Sequence, residues 1–144
     1  RSQVFAKSLP IPMVKGVMKR MEYVLNGNKQ KDKLWTIVNA LQKGLKEAGF
    51  NLGNTQSPVT PVFLSGTVAE ATNLAYDLRE THGIFTSLVA YPVVPRGVIL
   101  IRLIPTAMHT LEDVDYTIKA FKAIKEKLDE GAYASEEMKD AHID

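Results

Sequence analysis

A chain of 144 residues with 45% apolar and 24% charged side chains has the length and balance of one ordinary globular domain, long enough to bury a core. A net charge of +2 gives no electrostatic case for nucleic acid or an anionic membrane surface as a partner. With no cysteine the sequence excludes a disulfide framework and thiolate chemistry and fits a reducing, cytoplasmic setting.

No apolar run approaches the roughly 18 residues of a transmembrane segment, and no signal peptide is visible. The chain opens Arg1-Ser2-Gln3-Val4-Phe5 without an initiator methionine, which reads as a piece of a longer polypeptide.

From about Pro12 to Leu25 the apolar residues Val14, Val17, Met18, Met21, Val24 and Leu25 recur at helical spacing, and Pro12 suits a first turn. Asn26-Gly27-Asn28 interrupts it. A second helix is predicted from about Lys29 to Ala48, with Leu34, Ile37, Val38, Leu41 and Leu45 on one side and Gly49 as a left-handed cap. Trp35 borders that stripe, and the charged run Lys29–Lys33 reads as a solvated first turn.

Val59–Leu64 is a short strand whose Pro61 places it at an edge or a bulge. A third helix spans about Val68 to His82 before Gly83, and His82 in its last turn suits the negative end of the helix dipole. A strand over Ile84–Ala90 follows, then the stiff connector Tyr91-Pro92-Val93-Val94-Pro95-Arg96-Gly97.

Val98–Ile104 is an almost unbroken apolar run, the pattern of a strand covered on both faces, with Arg102 inside it. A last helix starts after Thr110, with Asp113 placed to complete a capping box, and buries Val114, Ile118, Phe121, Ile124 and Leu128. Beyond Glu130 the tail is polar and expected to fray. The order α-α-β-α-β-β-α predicts an α+β domain in which helices pack on a small, mainly antiparallel three-stranded sheet.

Arg102 is the residue that asks for chemistry. A guanidinium stays charged at any depth and presents a planar fork that holds a carboxylate or phosphate bidentately. It reads either as a ligand clamp beside the Pro105–Asp113 loop or as half of an internal ion pair. No zinc or hydrolase motif is present, so no metal site and no hydrolase nucleophile is expected. His109 fits a local hydrogen bond better than a metal, and Asp77, Glu80, Glu112 and Asp113 read as solvated carboxylates on exposed helical faces.

Several segments recur together in a recognisable order: Phe5-Ala6-Lys7-Ser8-Leu9-Pro10, Gly49-Phe50, Ser57-Pro58-Val59-Thr60-Pro61-Val62, His82-Gly83-Ile84-Phe85, Pro95-Arg96-Gly97, and Arg102-Leu103 with Thr106-Ala107-Met108-His109-Thr110. Together they resemble the C-terminal domain of the α-oxoamine synthases, PLP-dependent enzymes of the aminotransferase class I/II fold. That family includes serine palmitoyltransferase, glycine C-acetyltransferase (2-amino-3-ketobutyrate CoA ligase), 8-amino-7-oxononanoate synthase and 5-aminolevulinate synthase. The resemblance runs from Phe5 to about Leu128, and the connector and Leu103-Ile104-Pro105-Thr106 look most like bacterial serine palmitoyltransferases.

The resemblance implies a division into a linker at 1–11 from a missing large domain, the C-terminal domain at 12–130 and a polar tail at 131–144. It implies a parent enzyme, a homodimer, that condenses serine or glycine with an acyl-CoA to an aminoketone, CoA and CO2, as in sphingolipid biosynthesis, with PLP as electron sink. Arg102 matches the family position that binds the amino-acid carboxylate. Tyr91, Val93 and Val94 would line the acyl entrance, and Ser8 would touch the cofactor phosphate.

The resemblance places the PLP lysine upstream of Arg1, so no catalytic residue is expected in this fragment and alone it would be inactive. Ala6, Lys7 and Ile11 depart from the family's usual Phe-Ser-Thr-Ser-Leu-Pro-Pro segment, and Ala90 stands where some serine palmitoyltransferases carry arginine. A different class of reading is a non-catalytic α+β binding or assembly module in which Arg102 serves only an internal ion pair.

Overall fold

The computed structural model describes residues 8–134. Among them are four helices, α1 (Ile11–Asn26), α2 (Asn28–Glu47), α3 (Val68–Glu80) and α4 (Leu111–Asp129), and three strands, β1 (Thr60–Leu64), β2 (Ser87–Val89) and β3 (Ile99–Leu103). The strands form one antiparallel sheet in the order β1-β3-β2, with Val62 opposite Ile101 and Ser87 opposite Arg102. This is the predicted α+β architecture, with Pro61 on an edge strand where its missing N–H costs least.

Local chemistry explains the helix boundaries. Thr67 and Thr110 both form capping boxes, with Glu70 and Asp113 respectively. After α2 the chain turns at Gly49, whose φ of +84° lies in the left-handed region. The core forms where Ile37, Leu41 and Leu45 of α2, Leu74 and Leu78 of α3, and Val114, Phe121 and Ile124 of α4 meet Val62, Ile101 and Leu103 of the sheet. Phe50 meets Phe121 edge to face, with ring centroids 5.3 Å apart.

Several expectations need correcting. The stripe of α1 is apolar at the predicted spacing, yet none of its residues is buried. Helix α3 stops at Glu80, so His82 stands outside it, with its carbonyl accepting a bond from Tyr116. The strand predicted over Ile84–Ala90 shortens to Ser87–Val89.

Strand β3 is covered on both faces over only part of its length. Ile99, Ile101 and Leu103 are buried on one face; on the other Leu100 is buried but Arg102, two residues on, is exposed, so the cover on that second face ends before Arg102. The tail expected to fray begins by packing. Tyr133 is buried and donates to Asp77. Residues 1–7 of the linker and 135–144 of the tail lie outside the described residues.

Asp77 was expected to be solvated. Instead it accepts from Lys127 at 2.7 Å and from the hydroxyls of Thr81 and Tyr133. Burial alone would raise its carboxyl pKa, but these three donors and the Lys127 charge outweigh that and hold it at about 2. Burial, then the Asp77 bond and charge, push the Tyr133 hydroxyl upward.

Candidate functional site

A cleft of about 580 Å3 opens beside the C-terminal end of β3. Ile37 and Leu41 of α2 and Val114, Tyr116 and Thr117 of α4 form part of its wall. Ile84 and Phe85 line it from the segment leading into β2, and Ser87 from the first position of that strand. Arg102 and Leu103 of β3 and Pro105 and His109 of the following loop complete it.

Arg102 is the cation of this lining. Its Nε donates to Ser87 Oγ at 3.1 Å across the β2–β3 ladder. Among the described residues no carboxylate lies within 4.0 Å of it, so the internal ion pair is not formed there. The guanidinium thus keeps a fork of N–H donors for an anion from outside.

The loop after β3 is knitted by its own side chains. Thr106 N–H donates to His109 Nδ1 at 2.9 Å, and Met108 N–H donates to Thr106 Oγ1 at 3.2 Å. His109 therefore has the local bond expected of it, and no cluster suited to a metal exists among the described residues.

Asp113 lines the cleft, but its Oδ2 accepts from the Thr110 N–H at 2.8 Å and from the Thr110 hydroxyl at 3.1 Å. Those bonds outweigh slight burial and hold its carboxyl below the ordinary range. Tyr116 donates to the His82 carbonyl at 3.0 Å and Thr117 to the Asp113 carbonyl at 2.8 Å.

The other sequence-predicted site residues do not join Arg102. Tyr91, Val93 and Val94 lie outside the lining; Tyr91 and Val93 are exposed, and the Arg96 guanidinium sits 4.8 Å from the Tyr91 ring centroid. Ser8 is exposed ahead of α1 and also lies outside it. Sequence reasoning missed Ser87 and Phe85 as parts of the site. Only the register of β2 on β3 brings Ser87 to Arg102.

No family model matches the chain. It is 57% identical over 133 residues to a cysteate-C-fatty acyltransferase of Capnocytophaga ochracea, covering 92% of this chain and 32% of that protein. It is 34% identical over 128 residues to the 8-amino-7-oxononanoate synthase of Symbiobacterium thermophilum, covering 89% of this chain and 32% of the relative. The chain thus spans about a third of the length of these relatives.

In three dimensions it superposes on a Sphingomonas wittichii serine palmitoyltransferase with a TM-score of 0.77 at 27% identity, over 85% of this chain and 31% of the other. The chain matches a C-terminal fragment of the α-oxoamine synthases.

Within an α-oxoamine synthase this is the small C-terminal domain, as the superposition on serine palmitoyltransferase requires. A serine palmitoyltransferase of S. paucimobilis that it also matches, with a TM-score of 0.75 at 25% identity over 87% of this chain and 31% of the other, is described with bound PLP. The cleft here has no lysine in its lining, so it does not by itself fit that cofactor. What the lining offers is the Arg102 fork beside Ser87, a donor arrangement of the kind that holds an anion. Among the described residues no helix is long and apolar enough to cross a membrane.

Proposed function

We propose that the full-length protein is a PLP-dependent acyltransferase that condenses an amino acid with a fatty acyl thioester, releasing CO2 and the free thiol and leaving an aminoketone. The single observation that carries this is Arg102: a cation in an open cleft, braced by Ser87 and without a described carboxylate partner. Its fork takes the amino-acid carboxylate and so fixes which bonds of the α-carbon face the cofactor. PLP supplies the electron sink and is anchored by the part of the enzyme beyond this chain, so the fragment alone is inactive.

The amino acid is cysteate, in place of the serine or glycine expected from the sequence. The 57% identical relative is named for cysteate, whereas the serine palmitoyltransferase likeness stands at 25–27% identity. The product is then an aminoketone that carries a sulfonate. The exposed connector residues Tyr91 and Val93 offer the acyl chain an apolar approach outside the cleft. The working enzyme is a homodimer.

The test is thiol release by the full-length enzyme, crossing L-cysteate, L-serine and glycine with palmitoyl-CoA and acetyl-CoA. Release with cysteate and palmitoyl-CoA supports the reading. Release confined to serine would return the enzyme to serine palmitoyltransferase chemistry, and release confined to glycine and acetyl-CoA would move it to the acetyltransferase branch. No release from any pair would favour a binding module.

A further inference from the structure

Ser87 and Arg102 are register partners on neighbouring antiparallel strands, so their side chains leave the same face of the sheet. The β2–β3 pairing fixes both backbone positions, and the guanidinium Nε reaches Ser87 Oγ at 3.1 Å. In that bond the serine oxygen accepts. Its hydroxyl also has a proton to give, and among the described residues nothing accepts it.

The other two hydroxyls of the lining are committed as donors, Tyr116 to the His82 carbonyl and Thr117 to the Asp113 carbonyl. Ser87 is thus the lining hydroxyl with a proton left for a ligand, half-buried in the wall of the cleft beside the cation. Accepting from a charged guanidinium polarises the O–H and strengthens it as a donor.

The Nη edge of Arg102 is the edge open to a carboxylate. Two Nη–H groups engage one lone pair on each carboxylate oxygen, and each oxygen has a second to offer. We infer that Ser87 is a substrate-binding residue whose Oγ–H donates to the amino-acid carboxylate held by Arg102, on the oxygen nearer β2. The inference rests on the reading of Arg102 as the carboxylate clamp and deepens it. A third donor makes the two oxygens inequivalent, so the carboxylate no longer slides along the guanidinium edge and the α-carbon is held in one place.

A donor differs from a mere brace once the bond to Nε is gone. Arg102→Lys keeps a cation for the carboxylate but has carbon at the Nε position, so Ser87 has no Nε to steady. Binding of L-cysteate and L-serine to the full-length, PLP-loaded enzyme is followed through the cofactor absorbance. Taurine and ethanolamine serve as the matching amines without a carboxylate. The expected result is that Ser87→Ala weakens whichever amino acid the enzyme takes by about tenfold, and its matching amine by less than about twofold. In the Arg102→Lys background Ser87→Ala should still weaken the amino acid by about threefold or more.

No further loss in the Arg102→Lys background overturns the inference, leaving Ser87 a brace and the clamp reading intact. An equal loss for amino acid and amine also overturns it, as the mark of a structural role. Unchanged amino-acid affinity in Arg102→Leu overturns the clamp reading and the inference together.

Discussion

Arg102 and Ser87 face each other across the β2–β3 ladder, and the guanidinium Nε donates to the serine hydroxyl at 3.1 Å. One edge of the guanidinium is thereby spent on positioning while the Nη edge stays available. A structural ion pair and a ligand clamp predict opposite energetics here. Because Arg102 is exposed and has no described carboxylate partner, Arg102→Leu should leave unfolding free energy within about 0.5 kcal/mol of wild type. In the full-length enzyme it should weaken amino-acid binding by about 100-fold while PLP stays attached. Chemical denaturation and absorbance titration check the two halves, and a large loss of stability would restore the ion-pair reading.

Ser87→Ala removes the brace and leaves the charge. The guanidinium then searches more rotamers, so the amino-acid KM should rise by about three- to tenfold with kcat nearly unchanged. A fall in kcat with constant KM would instead place Ser87 against the reacting atoms. Steady-state kinetics on the full-length enzyme distinguishes these outcomes.

The Asp77–Lys127–Tyr133 network sets limits on stability at both ends of the pH scale. The Asp77 pKa falls from 3.8 to about 2 on folding, so its contribution is present above about pH 4 and is lost as pH falls towards 2. That contribution is about 2 kcal/mol. Tyr133 shifts the other way, so its share holds below about pH 10 and disappears above it. Denaturant midpoints measured from pH 2 to pH 11 should fall at both ends, and Asp77→Asn should flatten the acid limb.

Periodicity made the helices legible, and local chemistry marked several of their ends: the Thr110–Asp113 capping box and the left-handed Gly49 stand where the residues placed them. What a period does not reveal is the partner. The stripe of α1 reads as clearly as that of α2, yet α1 buries nothing and α2 buries Ile37, Val38, Leu41 and Leu45. For the same reason the apolar run around Arg102 looked covered on both faces. Ser87 reaches Arg102, and Tyr133 reaches Asp77, only through tertiary register across 15 and 56 residues, which no local pattern encodes.

Gly44 stands where α2 crosses α4, and a Cβ there would run into the Cδ1 and Cγ1 of Ile118. Helix propensity alone favours alanine over glycine by about 1 kcal/mol in a helix interior. Packing opposes it, because Ile118 is β-branched and its χ1 freedom in a helix is small. Overpacking of this kind costs about 1–3 kcal/mol, so Gly44→Ala should be net destabilising by up to about 2 kcal/mol. Adding Ile118→Ala clears the space, and the double variant should be more stable than the sum of the two single changes implies. A double-mutant cycle in urea measures the coupling, and strict additivity would show that the helices separate here instead of interlocking.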